Sequence, residues 1–163
     1  MFGPVMKIRV GFGFDVHQLQ EGRPFVLGGV QLEHRAGAVG HSDADVLVHA
    51  ICDALLGAAN LGDIGHHFPN TDERWRGVNS LLLLRECIRL LAEKGWTPGN
   101  IDAMVVLEAP KIKPYLTEMK QRIAEAAGLS IDDVSIKATT NETMGFVGRQ
   151  EGVVAYAVCL IEK

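Results

Sequence analysis

The chain has 163 residues, of which 47% are hydrophobic and 22% charged, and its net charge is -4. That length and balance suit one domain with a real core and exclude a disordered chain. The slight acidity gives no electrostatic footing for nucleic acid, and no apolar run approaches the roughly 20 residues that cross a bilayer.

The start, "MFGPVMKIRV", carries no secretory pattern, and a cytoplasmic location is expected. Residues 1–5 read as an extension, because the strand pattern begins near Lys7. Residues 7–14 read as a strand, "QEGRP" as a turn, and residues 25–32 as a second strand containing Gly28 and Gly29. Residues 42–59 form a helix, with Ser42 as cap and Asp45 three residues on. "LGDIGHHFPNTDERWRG" is a long polar loop, and long loops in compact domains tend to be functional. A second helix spans 79–94, capped by Asn79 and closed by Gly95. Residues 101–107 are almost continuously apolar, as in a strand buried on both faces. Pro114 opens a third helix that Gly128 ends. Strands follow at 134–140 and 153–161, with the Gly-rich "NETMGFVGRQEG" between them.

The order β-β-α-α-β-α-β-β predicts an α+β fold. It is expected to be a single domain over residues 1–163, a mixed β-sheet with three main helices packed on one face. Cys52, Cys87 and Cys159 lie far apart in apolar surroundings with no Cys-x-x-Cys pair, as expected of reduced core thiols in a reducing compartment.

Chemistry gathers at two places. Asp15 and His17 are two apart on a strand, so they share a face if the strand persists that far. On the helix after Ser42, residues Asp45, His49 and Asp53 are each four apart and stack on one side. Asp15, His17 and His49 together would make a two-His, one-carboxylate site with one position open, the arrangement of a catalytic zinc. Asp45 or Asp53 could then orient an imidazole. The same residues also suit a hydrogen-bonded structural pair and an exposed polar stripe, and spacing alone leaves both open. Elsewhere, the amides near Ser42, the strand end "KATTNE" and the lysines of "EAPKIKP" are of the kind that binds phosphate.

The segments "GFDVH", "HSDADVLVHAICDALLGAANLGDIGHHFPNTD", "APKIKP", "IKATTNETMGF" and "GRQEG", taken together and in order, resemble the 2-C-methyl-D-erythritol 2,4-cyclodiphosphate synthase family. The resemblance runs from about Met6 to the C-terminus. It implies that 4-diphosphocytidyl-2-C-methyl-D-erythritol 2-phosphate is cyclised by attack of its 2-phosphate on its own β-phosphorus, releasing CMP, in non-mevalonate isoprenoid synthesis. It implies zinc on Asp15, His17 and His49, and a second divalent ion, magnesium or manganese, with Glu142. His41 and Thr140 would position and stabilise the reacting phosphates. Substrate contacts carry over to Asp15, His17, His41, Ser42, Asp63, Ile64, Gly65, Phe68, Asn70 and Asp72. The cytidine pocket carries over to Leu107, Lys111, Ile112, Lys113, Ala138, Thr139 and Thr140, with Glu142 beside it. Asn70 stands where many relatives have Asp, and Leu107 where a smaller residue is frequent.

The resemblance further implies a homotrimer whose active sites are shared between neighbouring subunits. Phe146 and Arg149 would lie near the threefold axis, by a cavity for an isoprenoid phosphate. Two rivals use overlapping residues: a metal-dependent phosphohydrolase, and a catalytically idle trimeric binder of isoprenoid phosphates.

Overall fold

Two glycines decide how the first strand meets the first helix. The computed structural model describes residues 6–163; the extension expected at 1–5 lies outside them. The chain begins with β1 (Ile8–Glu21), β2 (Phe25–Leu27), β3 (Val30–Leu32), β4 (Ala36–Ala38) and α1 (Val46–Ala58). It continues through α2 (Ile64–His67), α3 (Ser80–Glu93), β5 (Thr97–Val106) and α4 (Leu116–Ala127). It ends with β6 (Val134–Thr139), α5 (Gly145–Gly148) and β7 (Gly152–Glu162).

Alternation along β1 puts Gly11, Gly13, Asp15 and His17 on one face and Val10, Phe12, Phe14 and Val16 on the other. The first face receives α1. A Cβ at Gly11 would lie 1.8 Å from the Ala54 carbonyl oxygen, and one at Gly13 1.8 Å from that of Ala50. Any side chain there would have to push the helix off the strand. With Ala50 and Ala54 small on the helix side, α1 lies directly on strand backbone, and His49 is thereby carried to Asp15 and His17.

β1 runs antiparallel to β7, with Asp15 opposite Ala155 and His17 opposite Val153. β7 pairs antiparallel with β5, and β5 pairs parallel with β6, so the main sheet has the order β4-β1-β7-β5-β6. α1 packs on β1 and β7, α3 on α1, and α4 on α3 and β6. The mixed sheet with three main helices on one face is the α+β layout that the sequence predicts. α1 is apolar almost all round and accordingly buried; His49, Asp53 and Gly57, four apart, are its residues outside the buried set. The caps at Asn79, whose side chain accepts the Leu81 N–H, and at Gly128, with φ of 69°, are as expected.

Four local expectations are corrected. Residues 25–32 are not one strand but the hairpin β2–β3, because Gly28 and Gly29 take φ of 58° and 74° and turn the chain. α1 starts at Val46 and is capped by Asp45, not Ser42. The polar loop holds the short helix α2 and a 3-10 turn at Glu73–Trp75. β5 is buried on one face only: Ile101, Ala103 and Val105 are covered by helices while Asp102, Met104 and Val106 are half-buried. Its other neighbour, β7, runs antiparallel to it, as suits a sheet with one covered face.

Candidate metal centre and substrate cavity

Strand period and helix placement bring three ligand atoms to one point. Asp15 Oδ2 lies 2.9 Å from His17 Nε2 and 3.1 Å from His49 Nδ1. The two ring nitrogens are 3.2 Å apart. Among the described residues, Asp15, His17 and His49 are the group whose ligand atoms all lie within 4.8 Å of one another. Ligands about 2.0–2.1 Å from a tetrahedral zinc lie about 3.3 Å from each other, close to these spacings. All three side chains are largely buried, at 26%, 15% and 12% exposure for Asp15, His17 and His49.

Hydrogen bonds on the far side of each ring agree with this. His17 Nδ1 faces the Val39 carbonyl oxygen at 2.8 Å and so donates. Its Nε2 then holds either a proton shared with Asp15 or a lone pair for a cation. His49 Nε2 faces Ser80 Oγ at 2.8 Å and Ser42 Oγ at 3.0 Å, which leaves Nδ1 toward the ligand point. A carboxylate and two imidazole lone pairs converging without enough protons to link them all is a donor set that fits a divalent cation.

Without a cation the same contact is an ion pair. Burial works to raise the Asp15 carboxyl, but hydrogen bonds and charge from His17 and His49 outweigh it and lower it to about 2. Burial likewise opposes protonation of His17, yet the Asp15 bond and charge and the Val39 carbonyl hold it above its usual value. The lowered carboxyl stabilises the fold above about pH 4 and loses that contribution as pH falls toward 2. The raised imidazole contributes below its ordinary 6.5 and loses its share as pH rises through the folded value. Metal-free protein is therefore expected to be most stable between these limits and to lose about 2 kcal/mol on acidification. Denaturant unfolding across pH checks this, and an equally sloped acid limb in Asp15→Asn would contradict it.

The ligand point opens on a cavity of about 540 Å³ lined by His17, His41, Ser42 and His49 at one end. Ile64, Gly65, Phe68 and Asn70 line it too, together with Trp75 and Leu83. Asp63 lies outside this lining and caps α2, its Oδ1 accepting the His66 N–H at 2.9 Å. Asp72 turns its carboxylate to Arg74 at 2.6 Å, and its carbonyl accepts from His41 Nε2 at 3.3 Å.

A second cavity, about 220 Å³, is lined by Leu107, Lys111, Ile112, Lys113, Ala138, Thr139 and Thr140. The turn beyond it puts Glu142 and Thr143 at φ of 50° and 62°. Glu108 holds that turn, its Oε1 accepting the Asn141 and Thr143 N–H groups at 2.7 and 3.4 Å. Thr140 Oγ1 donates to Glu142 Oε1 at 3.4 Å. Phe146 packs near Gly152 in a third hollow with His17 and Glu151, and Arg149 is ion-paired with Glu151 at 2.9 Å.

Glu142 and Thr140 are not beside the three ligands of their own chain. His17 is opposite Val153 on β7, whose neighbour Val154 is opposite Val106 on β5, which is opposite Thr139 on β6. The two groups are level but three strand spacings apart, roughly 14 Å.

Asp45 and Asp53 orient no imidazole. Asp45 is fully buried and accepts from Gly28 N and Val48 N through Oδ1 and from Gly29 N through Oδ2, tying the hairpin turn to the start of α1. Asp53 Oδ1 accepts the Ile64 N–H at 2.7 Å and so anchors α2 under the cavity. The side chains that do face His49 are hydroxyls, and Ser80 had no signal in the sequence beyond following a helix cap. The cysteines are free and buried, and burial pushes the Cys159 thiol up to about 12, as suits core packing.

Comparison with known proteins follows the same outline. The chain is 61% identical over 158 residues to a 2-C-methyl-D-erythritol 2,4-cyclodiphosphate synthase from Cytophaga hutchinsonii, covering 97% of this chain and 99% of the relative. A solved 2C-methyl-D-erythritol-2,4-cyclodiphosphate synthase in a CDP-bound form superposes with a TM-score of 0.87 at 38% identity, covering 94% of this chain and 99% of that one. The bifunctional IspDF from Campylobacter jejuni superposes at 0.93 with 41% identity; the match covers 98% of this chain but only 43% of the bifunctional one. The model of the YgbB family matches residues 8–162, nearly everything from the first strand to the last, and the chain belongs to that family.

Proposed function

We infer that this chain is a 2-C-methyl-D-erythritol 2,4-cyclodiphosphate synthase. It converts 4-diphosphocytidyl-2-C-methyl-D-erythritol 2-phosphate to the 2,4-cyclodiphosphate with release of CMP, in non-mevalonate isoprenoid biosynthesis. The observation that carries this is the meeting of Asp15, His17 and His49 beside a cavity lined by His41 and Ser42, in a chain matched over 97% of its length by a synthase.

Asp15, His17 and His49 would hold zinc, and Glu142 would help hold magnesium or manganese. Divalent ions supply neutralisation and alignment of phosphate oxygens. The attacking group is already an ionised phosphate, so no protein nucleophile or strong base is required, and positioning carries the rate. His41, its Nε2–H on the Asp72 carbonyl, and Thr140 orient the phosphates. Ser42, Asp63, Ile64, Gly65, Phe68, Asn70 and Asp72 hold the erythritol end. Leu107, Lys111, Ile112, Lys113, Ala138, Thr139 and Thr140 hold the cytidine end.

The roughly 14 Å between the two groups within one chain supports a homotrimer whose sites are completed by a neighbour. So does the face of β1 and β7 away from the helices. There Val10 and Phe12 are 66% and 63% exposed, with Phe14, Val16, Tyr156 and Val158 beside them, an apolar patch of the kind that marks an interface. Phe146 and Arg149 would line an axial cavity for an isoprenoid phosphate, Arg149 sharing its charge with Glu151. The 163 residues act as one synthase domain. Buried free thiols fit a cytoplasmic setting, and no helix of the described residues is long and apolar enough to cross a membrane.

Incubation with the diphosphocytidyl substrate tests the reading. CMP and cyclic diphosphate are expected in equal amounts, abolished by a chelator and restored by zinc with magnesium. Release of inorganic phosphate would overturn it in favour of a phosphohydrolase. Binding of isoprenoid phosphate with no turnover and no zinc would leave the idle binding module instead.

A further inference from the structure

His49 is held from behind by a chain of hydrogen bonds that reaches a third part of the fold. Ser80 is the first residue of α3 and fully buried. Its hydroxyl donates to Asp43 Oδ1, and its N–H donates to Asp43 Oδ2 at 2.9 Å. Asp43 Oδ1 also accepts the Asp45 N–H at 3.2 Å. A hydroxyl has one proton. Given to a carboxylate, it leaves Ser80 Oγ only lone pairs for His49 Nε2, 2.8 Å away. That nitrogen must therefore carry the hydrogen, because two lone pairs at this distance repel.

We propose that Asp43 and Ser80 order the protons behind His49 and so make it a metal ligand: Asp43 accepts a hydrogen bond from the Ser80 hydroxyl, Ser80 Oγ accepts one from His49 Nε2–H, and Nδ1 keeps its lone pair toward Asp15 and His17. This deepens the metal reading above and rests on it. Ser80 and Asp43 are positioning residues, since neither reaches the ligand point. Ser42 Oγ, at 3.0 Å and accepting the Ala44 N–H at 3.2 Å, is a second acceptor for the same hydrogen. It is the weaker of the two because, among the described residues, its own proton has no fixed acceptor. The relay also links the loop before α1 to the start of α3, so the ligand's orientation depends on how these two segments dock.

Two measurements test it, neither of them activity. The first is zinc affinity by competition with a chelating dye. Partners behind metal-bound histidines change affinity by about 10–100-fold. Ser80→Ala is expected to weaken zinc about tenfold and Ser42→Ala/Ser80→Ala about a hundredfold, with the fold checked by circular dichroism. Wild-type affinity in folded double variant would overturn the proposal. The second needs no variant. In protein labelled with nitrogen-15 histidine and titrated with zinc, His49 is expected to hold its hydrogen on Nε2 and to offer Nδ1 to the metal. An Nδ1–H tautomer would overturn the relay. Failure of the wild type to bind zinc, with the Nε2–H tautomer present, would sink the metal reading and leave the relay standing.

Discussion

His49→Ala is expected to lose bound zinc and to cut CMP release on the order of a thousandfold or more, while the chain stays folded. Two ligands would remain, Asp15 and His17, 2.9 Å apart, and they can close on each other as an ion pair. A cation held by two groups, in a cavity open to water, is not retained against a chelator. Without it two anionic phosphates must approach each other unaided. Electrostatic stabilisation of this kind is commonly the largest single contribution to catalysis. The cost to folding should be about 1–2 kcal/mol, because the groups behind the ring keep partners: Ser80 bonds Asp43 and Ser42 accepts from Ala44. Metal analysis and size measurement of the purified variant check this together. Zinc at the wild-type ratio in His49→Ala would refute the ligand assignment, whatever happened to turnover.

Phe12→Asp is expected to yield single subunits that keep zinc and lose turnover. Phe12 is 63% exposed at the middle of the apolar face of β1, near Tyr156, with ring centroids 6.3 Å apart. In one chain an aspartate there is harmless, since the side chain points to water. In a trimer it would bury a charge without a partner, at a cost of several kcal/mol per interface. Asp15 and His17 lie on the opposite face of the same strand, and His49 on the helix packed there, so zinc should survive. Turnover should not, if Thr140 and Glu142, roughly 14 Å across the sheet from those residues, are supplied by a neighbour as proposed. Sedimentation with metal and activity assays separates the outcomes. A monomer with full turnover would disprove shared sites, and an intact trimer would disprove the choice of interface.

How much of this could be read before the fold was known varied with the reach of each interaction. The pair Asp15 and His17 was legible because a strand's period of two is local. The helix caps Asn79 and Gly128 were legible because capping is settled within a few residues. The Gly28–Gly29 turn is also local, yet the apolar residues on both sides make one run, and by pattern alone it reads as a strand interior. Asp45 misled differently. Its place on the helical repeat with His49 and Asp53 suggested a partner for an imidazole, whereas it caps α1 and binds two hairpin amides. Periodicity reports which side of a helix a residue takes, not which end of that side is covered.

By itself the sequence determined the candidate ligand types, their local pairing on strand and helix, the α+β class and the family. Tertiary structure alone decided three things. α1 lies on bare strand backbone at Gly11 and Gly13, so that His49 reaches Asp15 and His17. Ser80, 31 residues from His49, stands behind its ring. Thr140 and Glu142 end up across the sheet from the ligands of their own chain. Each joins segments distant along the chain, and such contacts follow from how helices and strands pack, which no local pattern of residues encodes.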